Sequence, residues 1–131
     1  MNVPSPLKFH KNDEWIKVEG NIGTIGITDY AQEQLSDIVF LEIIAEEDET
    51  LGKGDACATV ESVKAAADVY MPVSGKITAI NDEELPDAPE LINTDPYGGA
   101  WMLKVELSDP SELDGLLDAE AYKNFCEERE H

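Results

Sequence analysis

Val60-Glu61-Ser62-Val63-Lys64-Ala65-Ala66-Ala67-Asp68-Val69-Tyr70-Met71-Pro72-Val73-Ser74-Gly75 holds two short apolar runs on either side of a lysine. The β-branched residues predict a strand over Ala56 to Val63 and another over Val69 to Val73. Three alanines follow the lysine, and such small neighbours leave its side chain uncovered at a hairpin tip. Taken alone, an exposed lysine at a turn is an ordinary solvated cation. Gly75, eleven residues beyond Lys64, can turn the chain tightly behind the second strand.

Short strands continue on both sides of this hairpin. Trp15-Ile16-Lys17-Val18-Glu19 alternates, Gly20-Asn21 suits a hairpin turn, and Ile22 to Ile27 returns. Gly23 and Gly26 weaken a free strand, so they point to close approach by another part of the chain. A short helix follows, capped by Asp29 with Gln32 three residues on, or alternatively by Thr28. Ala31, Leu35 and Ile38 give it an apolar side. Asp37 to Ile44 is a buried strand by composition. Lys76 to Ile80 is another strand, and Asn81 to Gly99 is a long connection with three prolines. Trp101, Leu103, Val105 and Leu107 alternate on one face of a half-buried strand. Asp109-Pro110-Ser111-Glu112 starts a helix that Gly115 weakens, and Asp118 caps a second one bearing Tyr122, Phe125, Cys126 and Arg129. Many short strands followed by terminal helices predict a mainly β fold, an antiparallel β-sandwich or flattened barrel with peripheral helices. A chain of 131 residues is sized for one domain. Its parts are a polar lead-in at 1–13, a β-rich core at 14–107 and C-terminal helices at 109–129.

Acidic residues number 29 against 9 basic, for a net charge of −20. This balance repels phosphate backbones and argues against nucleic acid as a partner. It suits either docking on basic protein surfaces or plain solubility, with salt adaptation a third reading. Cys57 and Cys126 lack CxxC spacing and are expected as buried, reduced thiols. His10 and His131 are the only imidazoles and have no ligand cluster, so no metal site is expected. Glu46-Glu47-Asp48-Glu49 lacks the regular ligand spacing of a calcium loop and fits a solvated turn. No apolar run approaches the roughly 20 residues that span a bilayer, and no signal or transit segment is evident at the N-terminus. These features fit a cytoplasmic protein, or one of the mitochondrial matrix whose leader has been removed. No Ser-His-Asp or Cys-His set and no phosphate loop is present, which argues against an enzyme.

Glu61-Ser62-Val63-Lys64-Ala65 resembles the lipoylation motif of the glycine cleavage system H-protein family. Gly26-Ile27-Thr28-Asp29-Tyr30-Ala31-Gln32, Asp68-Val69-Tyr70, Pro72-Val73-Ser74-Gly75, Pro89-Glu90-Leu91-Ile92-Asn93, Asp95-Pro96-Tyr97 and Gly99-Ala100-Trp101-Met102 are similar to that family in the same order. The resemblance runs over residues 7–129. It implies a monomeric, non-catalytic carrier of the lipoyl type with lipoate in amide linkage to Lys64. Glu61 and Gly75 would shape the lysine hairpin for lipoate-attaching enzymes. The arm would take an aminomethyl group from a pyridoxal-phosphate glycine decarboxylase. It would deliver that group to a tetrahydrofolate-dependent aminomethyltransferase and be reoxidised by dihydrolipoamide dehydrogenase. Glu14, Ile27 and Asp68 match residues that line a cleft for the loaded arm, the two carboxylates facing its cationic amine.

The chain departs from the family at several positions. Asn12 and Asp13 stand where a Ser or Thr and a histidine are common, Gln34 where some members have histidine, and Ser36 where glycine is common. Ile44-Ala45-Glu46-Glu47-Asp48 stands where a Leu-Pro-Glu-x-Gly turn is expected. None touches the lysine turn. They leave a second role open, an H-like paralogue that relays lipoate or serves another lipoyl-dependent pathway.

Overall fold

The structure, a computed structural model, describes residues 1–129. His131, the second imidazole of the sequence, lies outside the described residues. The chain order is β1 (Lys8–Phe9), β2 (Glu14–Glu19), β3 (Ile22–Ile27), α1 (Asp29–Leu35), β4 (Ile38–Ile43), β5 (Thr50–Leu51), β6 (Ala56–Ser62), β7 (Ala66–Tyr70), β8 (Gly75–Ile80), α2 (Leu91–Thr94), β9 (Leu103–Leu107), a 3-10 helix (Pro110–Gly115) and α3 (Ala119–Arg129).

The strands form two antiparallel sheets. One has six strands in the order β1-β2-β3-β9-β8-β5, the other three in the order β4-β6-β7. They do not close into one barrel, so the sandwich is the better of the two expected descriptions. Alternation sets which residues fill the space between them. Ile16 and Ile25 from one sheet, and Leu41, Val60 and Val69 from the other, lie in one buried cluster with Ile77, Leu103 and Val105. A fully buried aliphatic side chain of this kind contributes about 1.5–3 kcal/mol.

Close approach, as expected, explains two glycines. A Cβ on Gly26 would meet the Trp15 ring at 2.8–2.9 Å, and one on Gly23 would meet Ile16 Cδ1 at 2.5 Å. The Trp15 ring packs against Gly26, and its Nε1–H donates to the Pro96 carbonyl at 3.0 Å. Gly20 takes φ +64° at the β2–β3 turn, a conformation glycine adopts without strain.

Several expectations need correction. The lead-in at 1–13 contains β1, whose Phe9 is fully buried and pairs with Trp15. The strand expected at Val69–Val73 runs instead over Ala66–Tyr70. Trp101 lies outside β9. The cap of α1 is Thr28, whose hydroxyl accepts the Ala31 N–H, while Gln32 reaches Asp29 at 2.6 Å. The long connection holds α2, and the first of the two tail helices is a 3-10 turn.

The tail packs against β1, an edge strand of the six-stranded sheet. Asp118 caps α3 by accepting the Ala121 N–H at 2.8 Å. Tyr122 and Cys126, four residues apart, form its buried side, and the Tyr122 ring stacks on Phe9 at 4.7 Å between centroids. Both cysteines are free and buried. No helix among the described residues is long and apolar enough to cross a membrane.

Candidate functional site

Lys64 stands at the tip between β6 and β7, exposed. The tip is tied by one side chain. The Ser62 hydroxyl accepts the Ala65 N–H at 3.0 Å and the Lys64 N–H at 3.3 Å, and it donates to the Ala65 carbonyl at 3.1 Å. The Ser62 N–H also donates to the Ala65 carbonyl at 2.7 Å. A short hydroxyl side chain satisfying backbone groups two and three residues on is a standard way to fix a turn. The Val63 N–H donates to the Asp37 carbonyl at 3.0 Å, which anchors the tip to the start of β4. No salt bridge engages Lys64 among the described residues, so its amine is presented free.

Glu61 lies beside the tip, exposed, paired across β4 with Phe40 and across β7 with Ala66. Gly75 does not belong to this hairpin. It opens β8 in the other sheet, opposite Leu51 and Leu107, and its φ is not left-handed. A Cβ there would fall on the Glu106 carbonyl oxygen and on Val105 Cγ2, so glycine serves close strand packing and not a turn.

The β6–β7 pair that ends in Lys64 also forms one wall of a cleft of about 160 Å³. Its inward residues Val60, Ala67 and Val69 face Glu14 and Ile27 of the six-stranded sheet, with Ala31 and Leu35 of α1 closing one side. Register puts Glu14 directly opposite Ile27. Asp68 borders the same cleft from the edge strand and is exposed. The three residues expected to line an arm cleft therefore meet in one place. Asn12 and Asp13, two of the departures, are also in its wall, whereas Gln34 is exposed and outside it.

Glu14 is the chemically distinctive residue of the cleft. It is 1% exposed. Oε2 accepts the Tyr70 N–H at 3.4 Å, and Oε1 has no hydrogen-bond partner. Burial pushes its carboxyl up to about 8; the Tyr70 N–H opposes this and the neighbouring Asp13 charge reinforces it. Glu14 is thus mostly protonated at neutral pH. His10 Nδ1 lies 3.7 Å from Oε1, within ion-pair range. We read no ion pair there. Burial first, then the Lys53 charge, holds His10 below its ordinary value, and its Nδ1 already accepts the Asn12 N–H at 3.0 Å. A buried carboxyl with one oxygen unpartnered is costly unless a donor or cation arrives.

Cys57 offers no nucleophile. Burial, with a smaller contribution from Glu14, pushes its thiol up to about 12, and it donates to the Val69 carbonyl. No cluster of metal-ligating side chains occurs among the described residues. Ser62 and the apolar cleft wall were not picked out from sequence. The inward alternation of Val60, Ala67 and Val69 carried a signal for the wall, but the turn bond of Ser62 had none beyond residue type.

Residues 7–129 match the family model described as glycine cleavage H-protein. The chain is 55% identical over 126 residues to the "Glycine cleavage system H protein" of Carboxydothermus hydrogenoformans, covering 96% of this chain and 95% of that one. It is 56% identical over 128 residues to the protein of the same name from Staphylococcus haemolyticus, covering 98% of this chain and all of the other. A crystal structure of a glycine cleavage system H protein from Mycobacterium marinum superposes with a TM-score of 0.82 at 32% identity, covering 98% of this chain and 100% of that one.

Proposed function

This chain belongs to the glycine cleavage H-protein family, and from that premise we propose that Lys64 is its lipoyl attachment point and the Glu14 cleft the resting place of its loaded arm. The family role is a lipoyl-bearing shuttle of the glycine cleavage system, a carrier component and not a catalyst. The observation supporting the finer reading is the shared strand pair, since β6 and β7 both present Lys64 and build the cleft wall. Ala67 at that wall follows Lys64 by three residues, at most about 10 Å of chain. An extended lysine bearing a medium-length acyl chain exceeds that span. Lipoate would supply a strained disulfide able to take up the aminomethyl cargo and two electrons.

The residues of the chain do the rest. Ser62 holds the tip in a fixed shape while the Lys64 side chain remains free. Val60, Val69, Ile27 and Leu35 offer an apolar channel that keeps water from the cargo. Glu14 Oε1 provides the unpartnered acceptor for a cationic amine. A cation at that point favours the carboxylate, so Glu14 releases its proton as the cargo docks. Asp68 at the rim adds negative potential along the path. Tethering to one lysine keeps the cargo at high effective concentration while partners exchange. Those partners are the pyridoxal-phosphate decarboxylase, the tetrahydrofolate-dependent aminomethyltransferase, dihydrolipoamide dehydrogenase and a lipoate-attaching enzyme. The working form is one monomeric carrier domain in the cytoplasm.

Intact mass of the native protein tests the attachment. A lipoyl adduct on the wild type and none on Lys64→Ala is expected. An adduct retained by the variant would refute it.

A further inference from the structure

Exposure alone cannot direct an enzyme to Lys64. The chain has eight lysines, and Lys8, Lys11, Lys17, Lys53, Lys76 and Lys123 are exposed as well. What differs is the ground around Lys64. Of the five large hydrophobic residues exposed among the described residues, four belong to the three-stranded sheet or its flanks: Val39 (56%), Phe40 (48%), Ile44 (43%) and Val63 (66%).

A bulge in β4 creates this patch. Register slips between Ile38, which pairs with Ser62, and Phe40, which pairs with Glu61. Val39 is the extra residue. The bulge lets Val39 and Phe40 both remain exposed, where strict alternation would bury one of them. Val63 adjoins them, since its N–H bonds to the Asp37 carbonyl two residues before Val39. Three uncovered apolar side chains at one end of a sheet are a liability unless something covers them.

The charge around the patch is one-sided. Over residues 37–44 and 56–70 the chain carries Asp37, Glu42, Glu61 and Asp68, and Lys64 is the only cation. Glu61 stands directly opposite Phe40. An apolar centre bordered by carboxylates complements a protein surface with an apolar hollow bordered by lysine or arginine.

We propose that Val39, Phe40 and Val63, bordered by Glu42 and Glu61, form the surface by which the lipoate-attaching enzyme selects Lys64 from the other lysines. This rests on Lys64 being the lipoylated residue. The enzyme seats an apolar hollow on Phe40 and Val63, and its basic rim meets the carboxylates. That contact carries the Lys64 amine into the enzyme's site.

Initial rates of lipoylation by a lipoate–protein ligase, followed by intact mass over a range of carrier concentrations, test this. Phe40→Ser and Val63→Ser should each lower kcat/KM at least tenfold, chiefly through KM, with an unchanged far-ultraviolet spectrum. Glu42→Lys should lower it further at low salt than at high salt. Ile44→Ser, just beyond the far end of β4, should react as the wild type does. Wild-type rates for both Phe40→Ser and Val63→Ser would overturn the proposal. So would a concentration-dependent dimer of the wild type that Phe40→Ser abolishes, because a second copy would then own the patch. Failure of the wild type itself to be modified at Lys64 would instead overturn the attachment assignment.

Discussion

Glu14 Oε2 accepts the Tyr70 N–H at 3.4 Å, so a single buried carboxyl joins the six-stranded sheet to the edge of the three-stranded one. That position decides its protonation. Both sheets exclude water from it, and the one hydrogen bond it receives is long.

The pH dependence follows from the sign of this shift. The folded state holds the Glu14 proton up to about 8, against 4.5 for an ordinary glutamate. A group raised in this way contributes stability that is fully present below the ordinary value and is lost as pH rises through the folded one. Between those limits the wild type should lose stability relative to Glu14→Gln, by about 4 kcal/mol. Groups distant from Glu14 contribute alike in both proteins and cancel in the comparison. Urea unfolding across about pH 4.5 to 8 measures it. Parallel curves for the two proteins would refute the buried neutral carboxyl.

Ser62 should govern the lysine tip without governing the fold. Ser62→Ala removes a hydroxyl that bonds three backbone groups at an exposed turn. A hydrogen bond of this kind is worth about 1 kcal/mol net. Amide exchange at Ala65 should therefore quicken by about fivefold, while the unfolding midpoint barely moves. Ser62→Thr keeps the hydroxyl and should restore slow exchange. Unchanged exchange in the alanine variant would show that the backbone bonds from Ser62 to Ala65 and from Val63 to Asp37 suffice.

Much of this architecture was legible in the sequence because alternation and β-branching survive folding unaltered. The lysine hairpin, the β2–β3 turn at Gly20 and the caps of the tail belong to that class. What was hidden depends on partners distant in the chain. β1 and β5 are two residues each and exist only through pairing with β2 and β8. Gly75 resembles a turn glycine until β9 is set against it. Glu14 resembles any surface acid until β7 covers it. The resemblance identified the cleft residues, but the neutral state of Glu14 required the burial that two sheets impose together.

Ser36 tests whether one departure from the family is a burden. It ends α1 at φ +70° and ψ −154°, a region open almost only to glycine. The conformation is held because the Ser36 carbonyl accepts Asn93 Nδ2 at 2.9 Å and its N–H donates to the Gln32 carbonyl at 2.9 Å. Both are backbone groups that glycine retains. Relief of strain, less the greater freedom of glycine in the unfolded chain, leaves a net gain of about 1 kcal/mol for Ser36→Gly. Thermal unfolding checks this, with a rise in midpoint expected. A fall would mean the serine conformation is unstrained.

The second departure, Asp13, has a compensating partner 116 residues away. Arg129 Nη2 and Nη1 donate to its two carboxylate oxygens at 2.7 and 3.1 Å, and the Tyr122 hydroxyl donates at 2.8 Å. The guanidinium also lies 4.2 Å from the centroid of the Tyr30 ring. α3 thus grips Asp13, the residue before Glu14, where the backbone takes φ +72°. Removing the cation has two consequences. The pair is partly exposed, so Arg129→Ala should cost only about 1 kcal/mol of stability. The Asp13 charge, which already pushes Glu14 upward, then loses its counter-ion, so Glu14 should titrate higher still. Carbon-13 NMR of the Glu14 carboxyl reads this directly. Arg129→Lys keeps the charge and should return most of the titration while recovering less of the stability, since the paired geometry is lost. A Glu14 titration unmoved in Arg129→Ala would show that α3 anchors Asp13 without affecting the cleft.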